Sequence, residues 1–199
     1  EKVAPTSSRV LIYGESGTGK DIVAREIHKQ SKYSSGPFIV VNAAMLEPEG
    51  IEKELFGYKN KNGDIATGVF EKSHNGTLFI DEVGEMPLQT QAKILRVLTD
   101  QSFTRVGDDE IISIDSRIVC SSTNDLNELI DDGSFRKDLF HRLNVVNIKI
   151  PNLSDRIEDI DLIIDYFSNY FSELNSIKKI DLKPLVKSKY LNYEWPGNI

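Results

Sequence analysis

Residues 9–23 read RVLIYGESGTGKDIV, and the fold turns on them. An apolar run from Arg9 to Tyr13 stops at Gly14, which predicts a short buried strand. A helical pattern with Ile22, Val23 and Ile27 on one side follows, predicting a helix over 19–33. Between them Gly14-Glu15-Ser16-Gly17-Thr18-Gly19-Lys20 fits G-x-x-x-x-G-K, in the strand–loop–helix context that this motif needs. The glycines let backbone N–H groups close around phosphate oxygens, and the helix N-terminus adds a favourable dipole. Lys20 is placed to reach the β- and γ-phosphates of a nucleotide. Asp21 stands where a P-loop usually carries the Ser or Thr that holds Mg²⁺. That predicts either a metal held mainly by other groups or weak hydrolysis.

Outward from this stretch, Phe38–Asn42 (FIVVN), Thr77–Asp81 (TLFID), Arg117–Ser121 and Asn144–Ile150 predict four more strands. Pro87 opens a helix with Leu88, Ala92, Leu95 and Leu98 at helical spacing. Ser102–Val106 and Glu110–Ile114 flank Gly107-Asp108-Asp109 as a β-hairpin. Strands that are continuously apolar and alternate with helices indicate an α/β fold, a five-stranded parallel sheet between helices. Pro151 ends the pattern. Beyond it, Ile157, Ile160, Ile164, Phe167, Phe171 and Leu174 predict one long amphipathic helix, and a second starts near Asp181-Leu182-Lys183-Pro184. Residues 1–150 are thus read as an α/β nucleotide-binding subdomain and 151–199 as a partial helical one. Trp195-Pro196-Gly197-Asn198-Ile199 reads as the entry to another helix, so the chain is expected to be an excised domain.

The 199 residues are 39% hydrophobic and 28% charged, with a formal net charge of -7. The acidic balance argues against extended nucleic-acid binding by this region, which needs a basic face. The single cysteine, Cys120, sits in the apolar run Arg117–Cys120 and is expected to be a buried strand thiol in a reducing compartment. No apolar stretch approaches the ~20 residues of a membrane span, and no signal peptide opens the chain. A cytoplasmic protein without membrane contact is expected. His28, His74 and His141 lack metal-ligand spacing.

Phe79-Ile80-Asp81-Glu82 places two carboxylates at the carboxyl edge of the sheet, beside the phosphate loop. Asp81 suits Mg²⁺, directly or through water, with Glu82 next to it; Glu82 suits polarising an attacking water. Asn42 ends its own strand and is expected to hydrogen-bond Glu82 across neighbouring strand ends. Thr123 and Asn124 end the fourth strand, where an amide would touch a γ-phosphate or orient water. On residue chemistry alone, these three fit simple turn roles equally well. Arg136 and Arg142 fall on a short helix. Arginine stabilises transferred phosphate charge, yet two surface arginines paired with Asp131, Asp132 or Asp138 fit better from chemistry alone.

Taken together, GESGTGKD, ELFG, NGTLFIDEVGEMP, QAKILRVL, FRKDLFHRLNV, DRIEDI and WPGNI resemble, in order, the AAA+ domain of sigma-54-dependent transcriptional activators, the NtrC family. The resemblance covers nearly the whole chain. It implies ATP and ADP as ligands with Mg²⁺, an acidic residue after the P-loop lysine, and a helical lid over 151–199. It implies that Asn42 couples Glu82 to nucleotide state, that Thr123 and Asn124 are the sensor I pair, and that Arg136 and Arg142 are arginine fingers entering a neighbouring subunit. A hexameric or heptameric ring, action on RNA polymerase holoenzyme, and DNA binding through a helix-turn-helix outside this chain follow as expectations. One stretch departs from the family. After ELFG, activators carry GAFTGA, which contacts the sigma factor; here residues 58–68 read YKNKNGDIATG. That degenerate loop, expected to be a flexible surface loop, resembles NtrX-type response regulators. The expected function is an ATP-hydrolysing domain of an NtrX-like response regulator without the usual sigma-54 contact. The alternatives are a nucleotide-binding assembly switch with negligible hydrolysis and, further off, a small-molecule P-loop kinase.

Overall fold

The structure is a computed structural model that describes residues 2–45, 50–178, 184–191 and 193–199. Along the chain run β1 (Val10–Tyr13), α1 (Lys20–Lys29), β2 (Phe38–Asn42), α2 (Ile51–Phe56), the ribbon strands β3 (Tyr58–Lys59) and β4 (Ile65–Ala66), α3 (Val69–Lys72) and β5 (Thr77–Asp81). Then come α4 (Leu88–Asp100), the hairpin strands β6 (Ser102–Thr104) and β7 (Ile111–Ser113), β8 (Arg117–Ser122), α5 (Leu126–Asp131), α6 (Lys137–Leu143), β9 (Val146–Lys149), α7 (Ile157–Asn175) and α8 (Pro184–Leu191).

Five strands form one parallel sheet in the order β2-β5-β8-β1-β9. Strands inside such a sheet are covered on both faces and so read as largely apolar runs. Leu78, Phe79 and Ile80 of β5 and Leu11 and Ile12 of β1 are fully buried, and all six residues of β8 are buried. Burial is weaker at the two edges, where Val40 of β2 is exposed and β9 alternates between half-buried and exposed. The parallel register aligns the strand ends: Asn42 pairs with Asp81, and Tyr13 with Ser122. Polar side chains from four strands therefore gather at one edge of the sheet.

The elements differ from the sequence expectation where a local polar group competes with the ladder. The first helix stops at Lys29, because Ser31 donates its hydroxyl to the His28 carbonyl and accepts the Tyr33 amide, which turns the chain. The fifth strand begins at Val146, because the Asn144 amide still caps α6 on the Phe140 carbonyl. The hairpin is shorter than expected at Arg105 and Val106. There the backbone bonds Gly57 and Lys59 instead, with Val106 N donating to Gly57 O at 3.0 Å and Lys59 N to Val106 O at 2.9 Å.

Residues 58–68 lie mostly exposed, as a surface loop should, and carry two short strands. Tyr58–Lys59 and Ile65–Ala66 pair as an antiparallel ribbon whose turn is closed by the Asn60 side chain, which accepts the Asn62 and Asp64 amides. A Cβ on Gly68 would lie 2.3 Å from the Gly57 amide nitrogen, so the ribbon's base needs glycine there. Arg105 braces the ribbon's partner hairpin, donating to both Glu71 oxygens and to Glu110, while Lys59 pairs with Asp108 at 3.1 Å. Arg117, 1% exposed, donates to the Val3 and Ala4 carbonyls and so ties down the N-terminal segment.

The chain divides into two compact units. One comprises Glu1–Gly14 and Lys20–Lys149; the other comprises Glu15–Gly19 and Ile150–Ile199. The phosphate loop thus groups with the C-terminal residues. In that second unit, Ile160, Ile164, Phe167 and Phe171 of α7 line an apolar cavity of about 340 Å³ together with Leu153 and Trp195. The second helix is described from Pro184; Asp181, Leu182 and Lys183 lie outside the described residues. Trp195–Ile199 is a turn with Gly197 at φ 90° and Asn198 at φ 64°.

Candidate functional site

The loop after β1 is closed on itself. Thr18 donates its amide and its hydroxyl to the Glu15 carbonyl, at 3.3 and 2.8 Å. Gly17 and Gly19 take φ of 76° and 94°, left-handed values that other residues reach only under strain. A Cβ on Gly17 would stand 2.0 Å from the Gly197 carbonyl oxygen, so this glycine is required twice over.

Lys20 opens α1 and is 7% exposed. Its ammonium donates to the Gly14 carbonyl at 2.8 Å and to the Thr123 hydroxyl at 2.7 Å, and it lies 3.1 Å from Glu82 Oε1. Thr123 passes its own proton on: the hydroxyl donates to Glu82 Oε1 at 2.6 Å and the amide to Oε2 at 2.8 Å. Burial by itself would push the Glu82 carboxyl up. The Thr123 hydroxyl and amide and the Lys20 ammonium outweigh it, so the group is held below the ordinary carboxylate range. Glu82 also takes φ 53° and ψ 53°, left-handed for a residue with a side chain, with its amide donating to Ser121 Oγ. Such conformations cluster at working sites.

Asn42 is not on Glu82. Its Nδ2 donates to Asp81 Oδ2 at 3.0 Å, and its Oδ1 accepts the Ala44 amide. The cause is register: Asn42 pairs directly with Asp81, whereas Glu82 lies one residue further, past the strand end. Asp81 Oδ1 accepts from the Ser121 hydroxyl. The two neighbouring acids thus serve separate networks, Asp81 toward β2 and β8, Glu82 toward Lys20 and Thr123. Asn124 donates to Glu85 at 3.0 Å and does not join either. Asp21 is exposed on the first turn of α1, 4.0 Å from Arg25.

Arg136 caps α6 and is exposed, forked onto Asp138 at 3.0 and 2.7 Å. Asp132, an alternative partner, instead accepts the Ser134 amide and hydroxyl. Arg142, in the last turn of α6, donates to the Leu98 carbonyl at the end of α4, which Arg9 also bonds. Gln91 holds the segment before α6. Fully buried on α4, it donates to the Met86 and Ser134 carbonyls and accepts the Arg136 amide. Residue type alone did not single it out; a glutamine on the apolar face of a helix was the available signal.

Among the described residues no three His, Cys, Asp or Glu side chains gather as a metal cage. The donor set instead fits Mg²⁺, which is commonly held by one or two carboxylates plus phosphate oxygens. Cys120 is buried with its thiol pushed up to about 12, so it is no nucleophile. His28 packs its ring near Phe38 with Nδ1 2.9 Å from Thr77 Oγ1, and His74 accepts the Asp115 amide. Among the described residues no helix is long and apolar enough to cross a membrane.

The chain is similar to known regulatory proteins. Regulatory protein AtoC of Escherichia coli is 44% identical over 202 residues, and the nitrogen assimilation regulatory protein NtrX of Azorhizobium caulinodans is 42% identical over 200. Each alignment takes in all of this chain, which spans 44% of the length of each relative. Crystal structures of NtrX from Brucella abortus, one in complex with ADP and one with ATP, match at TM-score 0.92 and 45% identity, over 99% of this chain and 44% and 45% of theirs. The family model for the sigma-54 interaction domain matches residues 1–149, and the chain belongs to that family.

Proposed function

We propose that this chain is the ATP-binding and ATP-hydrolysing domain of an NtrX-like bacterial response regulator that controls transcription. The observation that carries it is the buried Lys20 ammonium held against Glu82 and Thr123 at the start of α1, directly after a P-loop motif. The ADP and ATP complexes of the Brucella protein support nucleotide as the ligand.

Residues 14–20 bind the phosphates, with backbone amides and the Lys20 ammonium supplying positive charge. Asp81 and Glu82 are the residues that would hold Mg²⁺, which when bound neutralises charge on the phosphates. Glu82 stays ionised and accepts a proton from the attacking water. In the structure its carboxylate is tied to Lys20 and Thr123. Phosphate drawing Lys20 away leaves Thr123 to choose between Glu82 and the nucleotide, which makes Thr123 the coupling residue. Asn42 acts on Asp81, and Asn124 and Asp21 have secondary roles. Arg136 and Arg142 supply charge to the site of a neighbouring copy, which makes a hexameric or heptameric ring the active form. Residues 1–150 serve as the nucleotide-binding subdomain and 151–199 as part of a helical lid. The protein works in the cytoplasm, on RNA polymerase, with DNA held by a helix-turn-helix outside this chain.

The ribbon at 58–66 supports an output other than the usual sigma-54 contact, since it carries no Phe-Thr tip. Grafting GAFTGA between Gly57 and Gly68 and assaying sigma-54 promoter opening tests that; strong activation by the unaltered protein would overturn it. The central experiment sizes the protein with and without ATP while phosphate release is measured. Release that rises with protein concentration is expected. Assembly on ATP without release would favour the second reading, an assembly switch, which the tying of Glu82 to Lys20 and Thr123 also fits.

A further inference from the structure

The carbonyls of the phosphate loop are taken one after another, three of them by residues far along the chain. Glu15 O accepts from Thr18. Ser16 O accepts from Asn198 Nδ2 at 2.9 Å, Gly17 O from the Ile199 amide at 3.1 Å, and Thr18 O from Arg156 Nη2 at 2.8 Å. A trans peptide points its C=O and the next N–H in opposite directions. Pinning the carbonyls of 16 and 18 therefore turns the amides of Gly17 and Gly19 to the loop's other face. Among the described residues those two amides donate to nothing. Unpaired backbone amides turned to the same face of a loop can hold an anion, as in the nests of phosphate sites.

The two side chains that do the pinning are themselves fixed. Asn198 is 8% exposed, and its Oδ1 accepts the Leu153 amide at 2.7 Å while its own amide donates to the Trp195 carbonyl. Arg156 precedes α7, with Nη1 3.7 Å from Asp159, and its Nε is shut away from solvent with no acceptor. All of these residues belong to one compact unit together with 15–19.

We propose that Arg156 and Asn198 are positioning residues for phosphate binding. They hold the backbone of 16–18 so that the Gly17 and Gly19 amides face the phosphates of a nucleoside di- or triphosphate, and they make the loop's affinity depend on residues 153–199. The proposal rests on the nucleotide-binding reading above.

The test compares Arg156→Met, Arg156→Lys and Asn198→Ala with the unaltered chain. ADP affinity is measured by calorimetry, kcat and KM for ATP by phosphate release, and ¹⁵N order parameters of Gly17 and Gly19 without nucleotide. Loss of one charge-assisted hydrogen bond is expected to weaken ADP by about tenfold in Arg156→Met. Arg156→Lys, which keeps a cationic donor, should recover most of that loss. KM should rise with kcat within about twofold, the pattern of lost uniform binding. The order parameters should fall from about 0.85 toward about 0.6 in Arg156→Met and Asn198→Ala. Unchanged affinity together with unchanged order parameters overturns the positioning roles. If the unaltered chain binds no ADP, the nucleotide reading fails by itself, and the order parameters still decide whether these side chains hold the loop.

Discussion

The Lys20 ammonium lies 3.1 Å from the Glu82 carboxylate, and Thr123 Oγ1 bridges them, accepting from Lys20 and donating to Glu82. The group proposed to bind phosphate and the group proposed to activate water are therefore joined through one hydroxyl. Binding and turnover are then expected to separate under mutation. Glu82→Gln is expected to keep ATP and ADP binding while phosphate release drops by about 10²- to 10⁴-fold, the worth of a positioned general base. Equal turnover would remove Glu82 from that role.

The same contacts set a pH dependence. The Glu82 carboxyl is held below its ordinary 4.5, so its contribution to stability is present above the unfolded value and lost as pH falls through the folded one. Unfolding curves recorded from pH 6 downward should show the unaltered protein losing stability in the acid range below 4.5 more steeply than Glu82→Gln. Thr123→Val should raise the Glu82 pKa in a carboxyl NMR titration, and Thr123→Ser should leave it nearly unchanged. A Thr123→Val titration identical to the unaltered one would show that Thr123 does not hold the carboxylate.

Asn42 sits on Asp81, and its removal should report there. Asn42→Ala is expected to raise the Mg²⁺ concentration for half-maximal phosphate release by about 10- to 100-fold, as loss of a partner behind a metal ligand does. The Glu82 titration should not move. A shifted Glu82 titration with unchanged Mg²⁺ dependence would return Asn42 to a direct partnership with Glu82.

Arg136 is forked onto Asp138 of its own chain, a geometry that holds the guanidinium at the surface. Arg136→Ala should lower phosphate release by about 10³-fold or more, the range of an arginine finger. Adding a Glu82→Gln partner, whose arginines are intact, should restore part of that activity. No rescue by mixing would mean that the arginine acts within its own chain or not at all.

The ribbon at 58–66 depends on the hairpin beside it. Arg105→Met removes the guanidinium that joins Glu71 and Glu110, leaving Lys59 and Asp108 as the remaining charged link. Limited trypsin digestion should then cut at Lys59 and Lys61 faster than in the unaltered protein, with no change at Lys29. Equal cleavage would show that the backbone bonds at Gly57 and Val106 hold the ribbon unaided.

Much of the fold could be read from local pattern, because a strand buried on both faces is predominantly apolar. RVLIY, FIVVN, TLFID and RIVCS are each long enough and bounded sharply enough to mark the sheet, and GESGTGK followed by a helix marks the phosphate loop. The family follows from those motifs in order. What the sequence did not contain is which polar group meets which. Asn42 was expected on Glu82 and lies on Asp81, because sheet register decides strand-end partners and register is set by pairing across 39 residues of chain. Gln91, Arg156 and Asn198 look unremarkable as residue types; they become positioning groups only when distant backbone carbonyls arrive within hydrogen-bond reach. The ribbon at 58–66 is likewise anchored at its base by backbone bonds of Val106 to Gly57 and Lys59, a contact that no local pattern encodes. Burial is a property of each segment and is written locally. Hydrogen-bond partnership joins segments, so only the tertiary structure decides it.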